Sequence, residues 1–330
     1  MLRSRPAAML AGGAVLVLVV AANQPHDEVL THPQSASAAS TVRRAAPEPM
    51  RTLQRPVEFG DASASHTGAP AIAADSGILV DLDTRSIIWE RNPHLAHAPA
   101  STTKIVSTLV ALENFSPDRR VTITPEALHQ AGDETVMGIK AGESYAVSEL
   151  LAGMLLISGN DAATAMAVDT VGMDRFVATM NSQMAALGLH DSHFTTPVGL
   201  DDPGQLASAY DLAAVATVTS ELFPQFRQLV STTDRQLPAG PTHPAFQLHN
   251  LNRLLSLYPP TIGIKPGYTG NAGPCLVAEA MREGHRMVGV LLGAPHLYSD
   301  MRMLLDWGFT QKGLRPSVTP PPAPPPARHR

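Results

Sequence analysis

The chain has 330 residues, of which 44% are hydrophobic, and a formal net charge of −5. This length suits one large domain or two small ones. The middle of the chain has no basic block, which argues against nucleic acid as a partner. Cys275 is the only cysteine, so an internal disulfide is excluded.

The first 70 residues differ in composition from the rest of the chain. Met1–Arg5 carries two arginines and precedes the uncharged apolar run Ala7–Ala22. A short basic start before such a run is typical of a secretory signal, and the small residues at its end suit cleavage. We therefore predict that residues 1–22 are a signal peptide or a signal anchor that stays in the membrane. Residues 23–70, rich in Ala, Ser, Pro and His, are predicted to form a flexible linker.

The first elements after the linker are predicted to be a hairpin and a helix. Ser76–Asp83 and Ser86–Trp89 are β-branched runs on either side of a short turn. Apolar residues recur at helical spacing through Ser101–Asn114, and Pro99 precedes this segment, as is common at a helix start. Further helices are predicted at Ser148–Leu156, Ala162–Val171, Asp174–Gly188 and Ser208–Ser220.

The hydrophobic period changes from helical to alternating after these helices. Three successive strands are predicted at Thr261–Thr269, Pro274–Met281 and Arg286–Leu292, followed by a helix at Ser299–Phe309. The order strands, helices, strands, helix predicts an α+β domain, with a sheet built from both chain ends and a helical insert between them. We place this domain at residues 71–315. Residues 316–330 are predicted to be an extended proline-rich tail.

The first candidate motif pairs Ser101 with Lys104 at the start of a predicted helix. Residues three apart share a helix face, so the amine can lie beside the hydroxyl. A neutral amine can activate a serine as a nucleophile. Neutrality at pH 7 requires a pKa lowered by roughly three units, which burial or a neighbouring cation favours. Taken alone, the spacing also fits a capped helix with a surface lysine.

The second candidate motif is Ser158-Gly159-Asn160, between two predicted helices. Its hydroxyl could relay a proton to a leaving group, and its carboxamide could hold a peptide group of the substrate. Taken alone, it also fits an ordinary capped loop.

The third candidate motif is Lys265-Pro266-Gly267, on a predicted strand. Its lysine supplies a cation, and its glycine lets a peptide approach the backbone closely. Pro-Gly is also a common turn pair. The three motifs together are far more specific than any one of them, because they occur in a consistent order and each lies in a suitable structural context.

With these motifs and their flanking residues, the sequence from Ala71 to Gly313 resembles the serine D-alanyl-D-alanine carboxypeptidases, which are the low-molecular-weight penicillin-binding proteins. The segments Phe194–Leu200 and Ser208–Asp211 add to the resemblance, which is nearest to the short actinobacterial members. It implies a β-lactamase/penicillin-binding-protein-like α+β fold, with an antiparallel sheet flanked by helices and a helical subdomain.

The resemblance also implies catalytic roles. Ser101 would be acylated by the penultimate D-Ala carbonyl, releasing the terminal D-Ala, and Lys104 would be the base. Ser158 and Asn160 would assist proton transfer and bind the substrate. The backbone N–H groups of Ser101 and Tyr268 would form the oxyanion hole.

The implied substrate is a peptidoglycan stem peptide ending in D-Ala-D-Ala, bound along Lys265, Gly267, Tyr268 and Thr269. Lys265 would face the substrate carboxylate and help to keep Lys104 neutral. β-Lactams would be covalent inhibitors, and neither a metal nor an organic cofactor is implied. The enzyme would work at the extracytoplasmic face of the cell, in contact with the membrane only through the N-terminal segment if that is uncleaved.

Pro266 departs from the family pattern, in which the middle residue of the third motif is usually threonine or serine. Proline removes a hydroxyl and a backbone N–H from this position. A hydrogen bond lost to a charged group is worth about 1.5–3 kcal/mol. We therefore expect weaker recognition of the substrate carboxylate, which nearby Thr269 could offset in part.

Three alternatives stay open on the sequence alone. A β-lactamase of class A uses a glutamate after the second motif, but no glutamate lies between Asn160 and Ser220. Endopeptidase or transpeptidase action on the same peptides fits the motifs equally well. A catalytically silent wall-binding homologue is supported only by Pro266, and the Ser101–Lys104 pair argues against it.

Overall fold

The computed structural model describes residues 49–61, 68–128 and 135–316. The predicted signal segment, residues 1–22, lies outside these ranges, as does the proline-rich tail after Pro316. None of the helices within the described ranges combines the length and apolar character that a membrane crossing requires.

Short 3₁₀ turns at Ala100–Thr103 and Pro125–Leu128 accompany the regular elements. The strands are β1 (Ser76–Asp81), β2 (Ser86–Arg91), β3 (Arg120–Thr122), β4 (Ser144–Ala146), β5 (Asp234–Leu237), β6 (Phe246–His249), β7 (Thr261–Thr269), β8 (Gly273–Arg282) and β9 (His285–Leu292). The helices are α1 (Lys104–Asn114), α2 (Val147–Leu156), α3 (Asn160–Val171), α4 (Met173–Ala186), α5 (Ala209–Leu222), α6 (Pro224–Val230), α7 (Leu254–Leu257) and α8 (Leu297–Gln311).

The main sheet is antiparallel and has five strands in the order β2-β1-β9-β8-β7. β1, from the start of the domain, pairs with β9, from its end, so that Ser76 lies opposite Leu292. The sheet therefore joins the two ends of the domain, with helices α1 to α7 between them in sequence, and the predicted α+β class is confirmed. β7 forms one edge, so one row of its backbone groups is not used by the sheet.

Both faces of the sheet are covered, as the burial of every β1 residue requires. Alternate side chains of a strand point to opposite faces. Ile78 and Val80 accordingly belong to the apolar cluster that contains Ile105 of α1, whereas Leu79 belongs to the cluster that contains Phe309 of α8. The helical insert packs on one face of the sheet and α8 on the other.

Every predicted helix and strand is present, with ends shifted by at most three residues. The sequence did not predict the short pairs β3–β4 and β5–β6, which form two separate two-stranded sheets, or the helices α6 and α7. Strands of three or four residues are too short to show an alternating hydrophobic pattern.

Residues 49–61 pack against the domain, although the sequence placed them in the linker. Val57 and Phe59 are buried, and the Val57 N–H donates to the Leu187 carbonyl at 3.0 Å. Apolar residues in this segment follow neither a helical nor a strand period, so the pattern gives no sign of this packing.

Candidate active site

Ser101 lies in the 3₁₀ turn that leads directly into α1, whose first residue is Lys104. In a 3₁₀ turn, residues three apart are eclipsed. The Lys104 side chain therefore returns to the serine, and its Nζ lies 3.0 Å from Ser101 Oγ. Ala100 has a φ of +48°, which is strained for a residue with a Cβ, and such strain often marks an active site.

The Lys104 amine is fully buried and is held by oxygens from separate parts of the chain. Besides contacting Ser101, its Nζ donates to Asn160 Oδ1 at 2.6 Å and to the Val198 carbonyl at 2.9 Å. These contacts fix the nitrogen within hydrogen-bond reach of the serine hydroxyl, as a general base for that hydroxyl requires.

Gly199 positions the Val198 carbonyl, and no other residue fits its place. Its φ is +89°, and a Cβ there would lie 1.9 Å from the Ala100 carbonyl oxygen. The Gln205 side chain holds the preceding segment by accepting hydrogen bonds from the backbone of Thr195 and Thr196. In the sequence, Phe194–Leu200 was only a point of resemblance. In the structure, this segment supplies the Val198 carbonyl that accepts a hydrogen bond from Lys104.

The second motif lies between α2 and α3 and faces the same site. Ser158 follows the end of α2 with a φ of +62°, a conformation that favours glycine. Its side chain lines the cleft with Ser101. Asn160 is buried at the first position of α3, where its carboxamide oxygen accepts from Lys104.

Asp161 is a positioning residue that the sequence reasoning did not assign. Its buried carboxylate accepts hydrogen bonds from the backbone N–H groups of Met137, Gly138 and Ile139 at 2.7–3.2 Å. The Asn160 N–H donates to the Thr135 carbonyl at 2.8 Å. Together these bonds hold residues 135–139 against the second motif. A buried aspartate needs such donors, but the sequence does not tell which backbone supplies them.

The third motif lies on the edge strand β7, directly against the nucleophile. A Cβ on Gly267 would lie 2.8 Å from the Ser101 backbone nitrogen, so glycine is what allows this approach. Lys265 is two residues earlier and therefore on the same face of the strand. Pro266 lies opposite Leu276 of β8 in the antiparallel pairing. Proline is tolerated here because β7 is an edge strand.

Lys265 is a fully buried lysine on β7. Its side chain has no exposed surface, and its Nζ donates to the Pro266 carbonyl at 3.1 Å. Burial disfavours the charged form of lysine and lowers the pKa of Lys265 to about 7. In the free protein, its charge therefore changes near neutral pH.

Tyr268 and Thr269 complete β7 and differ in their surroundings. Tyr268 is 72% exposed and lines the cleft. The Thr269 hydroxyl instead donates to the Asp201 carboxylate, which also accepts from the Asn271 N–H at 3.1 Å. Thr269 does not line the cleft. Its part in substrate binding, and its ability to replace the hydroxyl missing at Pro266, stay predictions.

Five of the predicted site residues line an open cleft of about 450 Å³, namely Ser101, Ser158, Lys265, Gly267 and Tyr268. Lys104 contacts Ser101 and Asn160 but, like Asn160, is not part of the lining. One part of the lining carries the polar groups of the motifs, and the other is mainly apolar. The lining residues are Ser101, Thr135, Ser158, Leu251, Lys265, Pro266, Gly267, Tyr268, Pro274, Leu297 and Tyr298. In the described part of the chain, no group of three or more His, Cys, Asp or Glu residues is placed to hold a metal ion.

Comparison with known proteins agrees with this geometry. Residues 63–296 match the family described as D-alanyl-D-alanine carboxypeptidase. The chain is 34% identical to D-alanyl-D-alanine carboxypeptidase DacB2 of Mycobacterium tuberculosis, over 76% of this chain and 88% of that protein. It is 32% identical to D-alanyl-D-alanine carboxypeptidase DacF of Bacillus subtilis, over 79% and 68% of the two chains.

A solved structure of similar fold is a penicillin-binding protein homologue from Mycobacterium tuberculosis, with 34% identity and a TM-score of 0.67 over 77% of this chain and 98% of that one. Another is a Streptomyces DD-transpeptidase, with 29% identity and a TM-score of 0.69 over 73% and 98% of the two chains. The chain therefore belongs to the D-alanyl-D-alanine carboxypeptidase family of serine peptidases and has the penicillin-binding-protein fold.

Proposed function

We propose that the protein is an exported D-alanyl-D-alanine peptidase that acts on peptidoglycan stem peptides through an acyl-enzyme on Ser101. The observation that carries the proposal is the contact between the buried Lys104 amine and the Ser101 hydroxyl, 3.0 Å apart at the mouth of the cleft. Export rests on the sequence of residues 1–22, whose basic start and apolar run are typical of a secretory signal.

Acylation begins when Lys104 takes the proton of the Ser101 hydroxyl. Ser101 Oγ then attacks the carbonyl carbon of the penultimate D-Ala, and the backbone N–H groups of Ser101 and Tyr268 stabilise the oxyanion. The C–N bond to the last residue breaks, and the proton held by Lys104 passes through the hydroxyl of Ser158 to the departing nitrogen, so that Lys104 is neutral again. The approach of Gly267 to the Ser101 nitrogen supports this arrangement of donors.

Deacylation reverses the roles around the serine. A water molecule gives a proton to Lys104 and attacks the ester carbonyl, and Ser101 Oγ leaves and is reprotonated. The products are the shortened peptide acid and free enzyme. Asn160 is part of the second motif and its carboxamide oxygen accepts from the lysine, so we assign it the role of holding the base and the substrate peptide group. A β-lactam would acylate Ser101 in the same way.

We expect Ser101→Ala to reduce release of D-alanine by at least about 10⁴-fold, because the remaining groups have no nucleophile to act through. The measurement is D-alanine release from a peptide ending in D-Ala-D-Ala, with the full-length chain. The control is Ser231→Ala, which removes an exposed hydroxyl that donates only to Gln228 within its own helix end.

Labelling by fluorescent penicillin gives a second measurement of the same serine. The wild type and Ser231→Ala should be labelled, and Ser101→Ala should not. Absence of both hydrolysis and labelling in the wild type would favour the silent wall-binding alternative. Equal hydrolysis by wild type and Ser101→Ala would rule out Ser101 as the nucleophile.

A further inference from the structure

We propose that the leaving-group side of the cleft selects peptides whose residue after the scissile bond carries no free carboxylate, such as a carboxamide or a residue that continues into further peptide. This inference rests on the proposed function, because it concerns what departs when Ser101 is acylated. It would make the enzyme an amidated-peptide or internal-bond peptidase in preference to a strict carboxypeptidase.

The first support is the loss of hydrogen-bond donors beside Lys265. Pro266 lines the cleft and has neither a hydroxyl nor a backbone N–H. The hydroxyl of Thr269, three residues later, is occupied by Asp201. A carboxylate needs several donors when it leaves water, and neither Pro266 nor Thr269 has a side-chain donor left to supply one.

The second support is the weakness of the cation. Lys265 is the only cation among the described residues that line the cleft. Burial lowers the pKa of Lys265 to about 7, so the amine is mainly neutral at pH 8. Its Nζ also donates to the Pro266 carbonyl. An anion placed here at pH 8 would be desolvated without a full opposite charge, which is unfavourable.

The third support is the apolar wall next to these residues, which we define as Leu251, Pro266, Pro274, Leu297 and Tyr298. Burial raises the pKa of the Tyr298 phenol, so its polar atom remains a neutral hydroxyl. Such a wall suits the methyl group and uncharged backbone of a capped or continuing residue. It offers no charged partner to a terminal carboxylate.

Arg253 is a competing candidate for carboxylate binding, because it contacts the cleft residue Tyr298. Its guanidinium lies over the Tyr298 ring, with 5.4 Å between Cζ and the ring centroid, but Arg253 does not line the cleft. If it reached the substrate, the variant Arg253→Ala would lose activity on free acids selectively. This variant therefore belongs in the test.

The test compares two peptides that are identical except at the last group, one ending in D-Ala-D-Ala and the other in D-alanyl-D-alaninamide. The full-length chain at pH 8 is incubated with each, and released D-alanine or D-alaninamide is quantified by mass spectrometry. We expect kcat/KM for the amide to equal or exceed that for the acid.

A tenfold or greater preference for the acid would overturn this inference and leave the proposed function intact. Loss of that preference in Arg253→Ala would then identify the residue responsible. Hydrolysis of neither peptide, together with absence of penicillin labelling at Ser101, would contradict the proposed function and this inference with it.

Pro266→Thr should move the preference back toward the free acid. A restored hydroxyl and N–H offer hydrogen bonds to a charged group worth about 1.5–3 kcal/mol, so we expect the acid-to-amide ratio of kcat/KM to rise roughly tenfold or more. The matched control is Pro266→Ala, which restores the N–H without the hydroxyl. An unchanged ratio in Pro266→Thr would show that position 266 does not contact the leaving group.

The same ratio should depend on pH through Lys265. Its charged fraction falls about tenfold between pH 6 and pH 8, given a pKa of about 7 in the free protein. We expect the acid-to-amide ratio of the wild type to fall by roughly the same factor over this range. Titration of Lys104 affects kcat/KM for both peptides equally, so its effect cancels in the acid-to-amide ratio. In Lys265→Met the ratio should not change with pH, and a persisting change would assign the titration to another group.

Discussion

Lys104→Met is expected to lower kcat/KM for D-alanine release by about 10³-fold, in the middle of the range for loss of a general base. Methionine fills a similar volume in a buried site but cannot accept the proton of Ser101. The same substitution removes the donor that Asn160 and the Val198 carbonyl share. Single-turnover acylation by fluorescent penicillin should slow in parallel, because it uses the same proton transfer.

The control is Lys140→Met, which removes an exposed lysine from the same chain. It should keep wild-type rates, and both variants should be compared by thermal melting to show that each is folded. Wild-type acylation rates in a folded Lys104→Met protein would exclude Lys104 as the base. The proton would then have to go to another group in the cleft, and Lys265, which lines the cleft and whose amine has a pKa of about 7, would be the first to test.

The residues that could be predicted from sequence are those whose chemistry and spacing are local. Ser101 and Lys104 are one turn apart, so their contact follows from helical geometry alone. Ser158 and Asn160 were predicted as a motif that follows an apolar run and precedes a helix start. The α+β class followed from the change in hydrophobic period, and the antiparallel sheet joins the chain ends as expected.

Contacts that depend on distant segments could not be predicted in this way. The Val198 carbonyl reaches Lys104 across 94 residues, and only Gly199 permits that approach. Asp161 is adjacent to the second motif, yet three of its hydrogen-bond donors lie 22 to 24 residues earlier in the chain. Thr269 shares the motif strand, but Asp201 takes up its hydroxyl. In each case the hydrogen-bond partner comes from a segment that is distant in sequence, and a local sequence motif does not tell which segment packs there.

Gly199→Ala is expected to damage both stability and activity. A left-handed conformation costs alanine about 1–2 kcal/mol, and forcing a methyl group into a closed site costs about 1–3 kcal/mol more. The methyl would meet the Ala100 carbonyl and the Thr103 hydroxyl, next to the nucleophile. We expect a fall in the free energy of unfolding of roughly 3 kcal/mol, which lowers Tm by about 6–12 °C in a domain of this size.

Activity should fall with stability because Ala100 directly precedes Ser101, and Val198 directly precedes Gly199. Displacing either backbone changes the position of Ser101 Oγ or removes an acceptor from the Lys104 amine. We expect kcat/KM for D-alanine release to fall at least about tenfold in the fraction that remains folded, since misplacement by an ångström can cost a hundredfold.

Gly284→Ala is the control that separates the two effects expected in Gly199→Ala, namely the close contact of the new methyl group and the cost of a left-handed backbone. Gly284 has nearly the same φ, +88° against +89°, but a Cβ there would meet nothing within 4 Å. It lies in the turn between β8 and β9. The free energy of unfolding of its alanine variant should therefore fall by only about 1–2 kcal/mol, and kcat/KM should stay at the wild-type value. The extra destabilisation of Gly199→Ala then measures the contact with Ala100. Equal melting temperatures and equal activities in the two variants would mean that the site does not depend on this approach, and that the Val198 carbonyl is not held in place by Gly199.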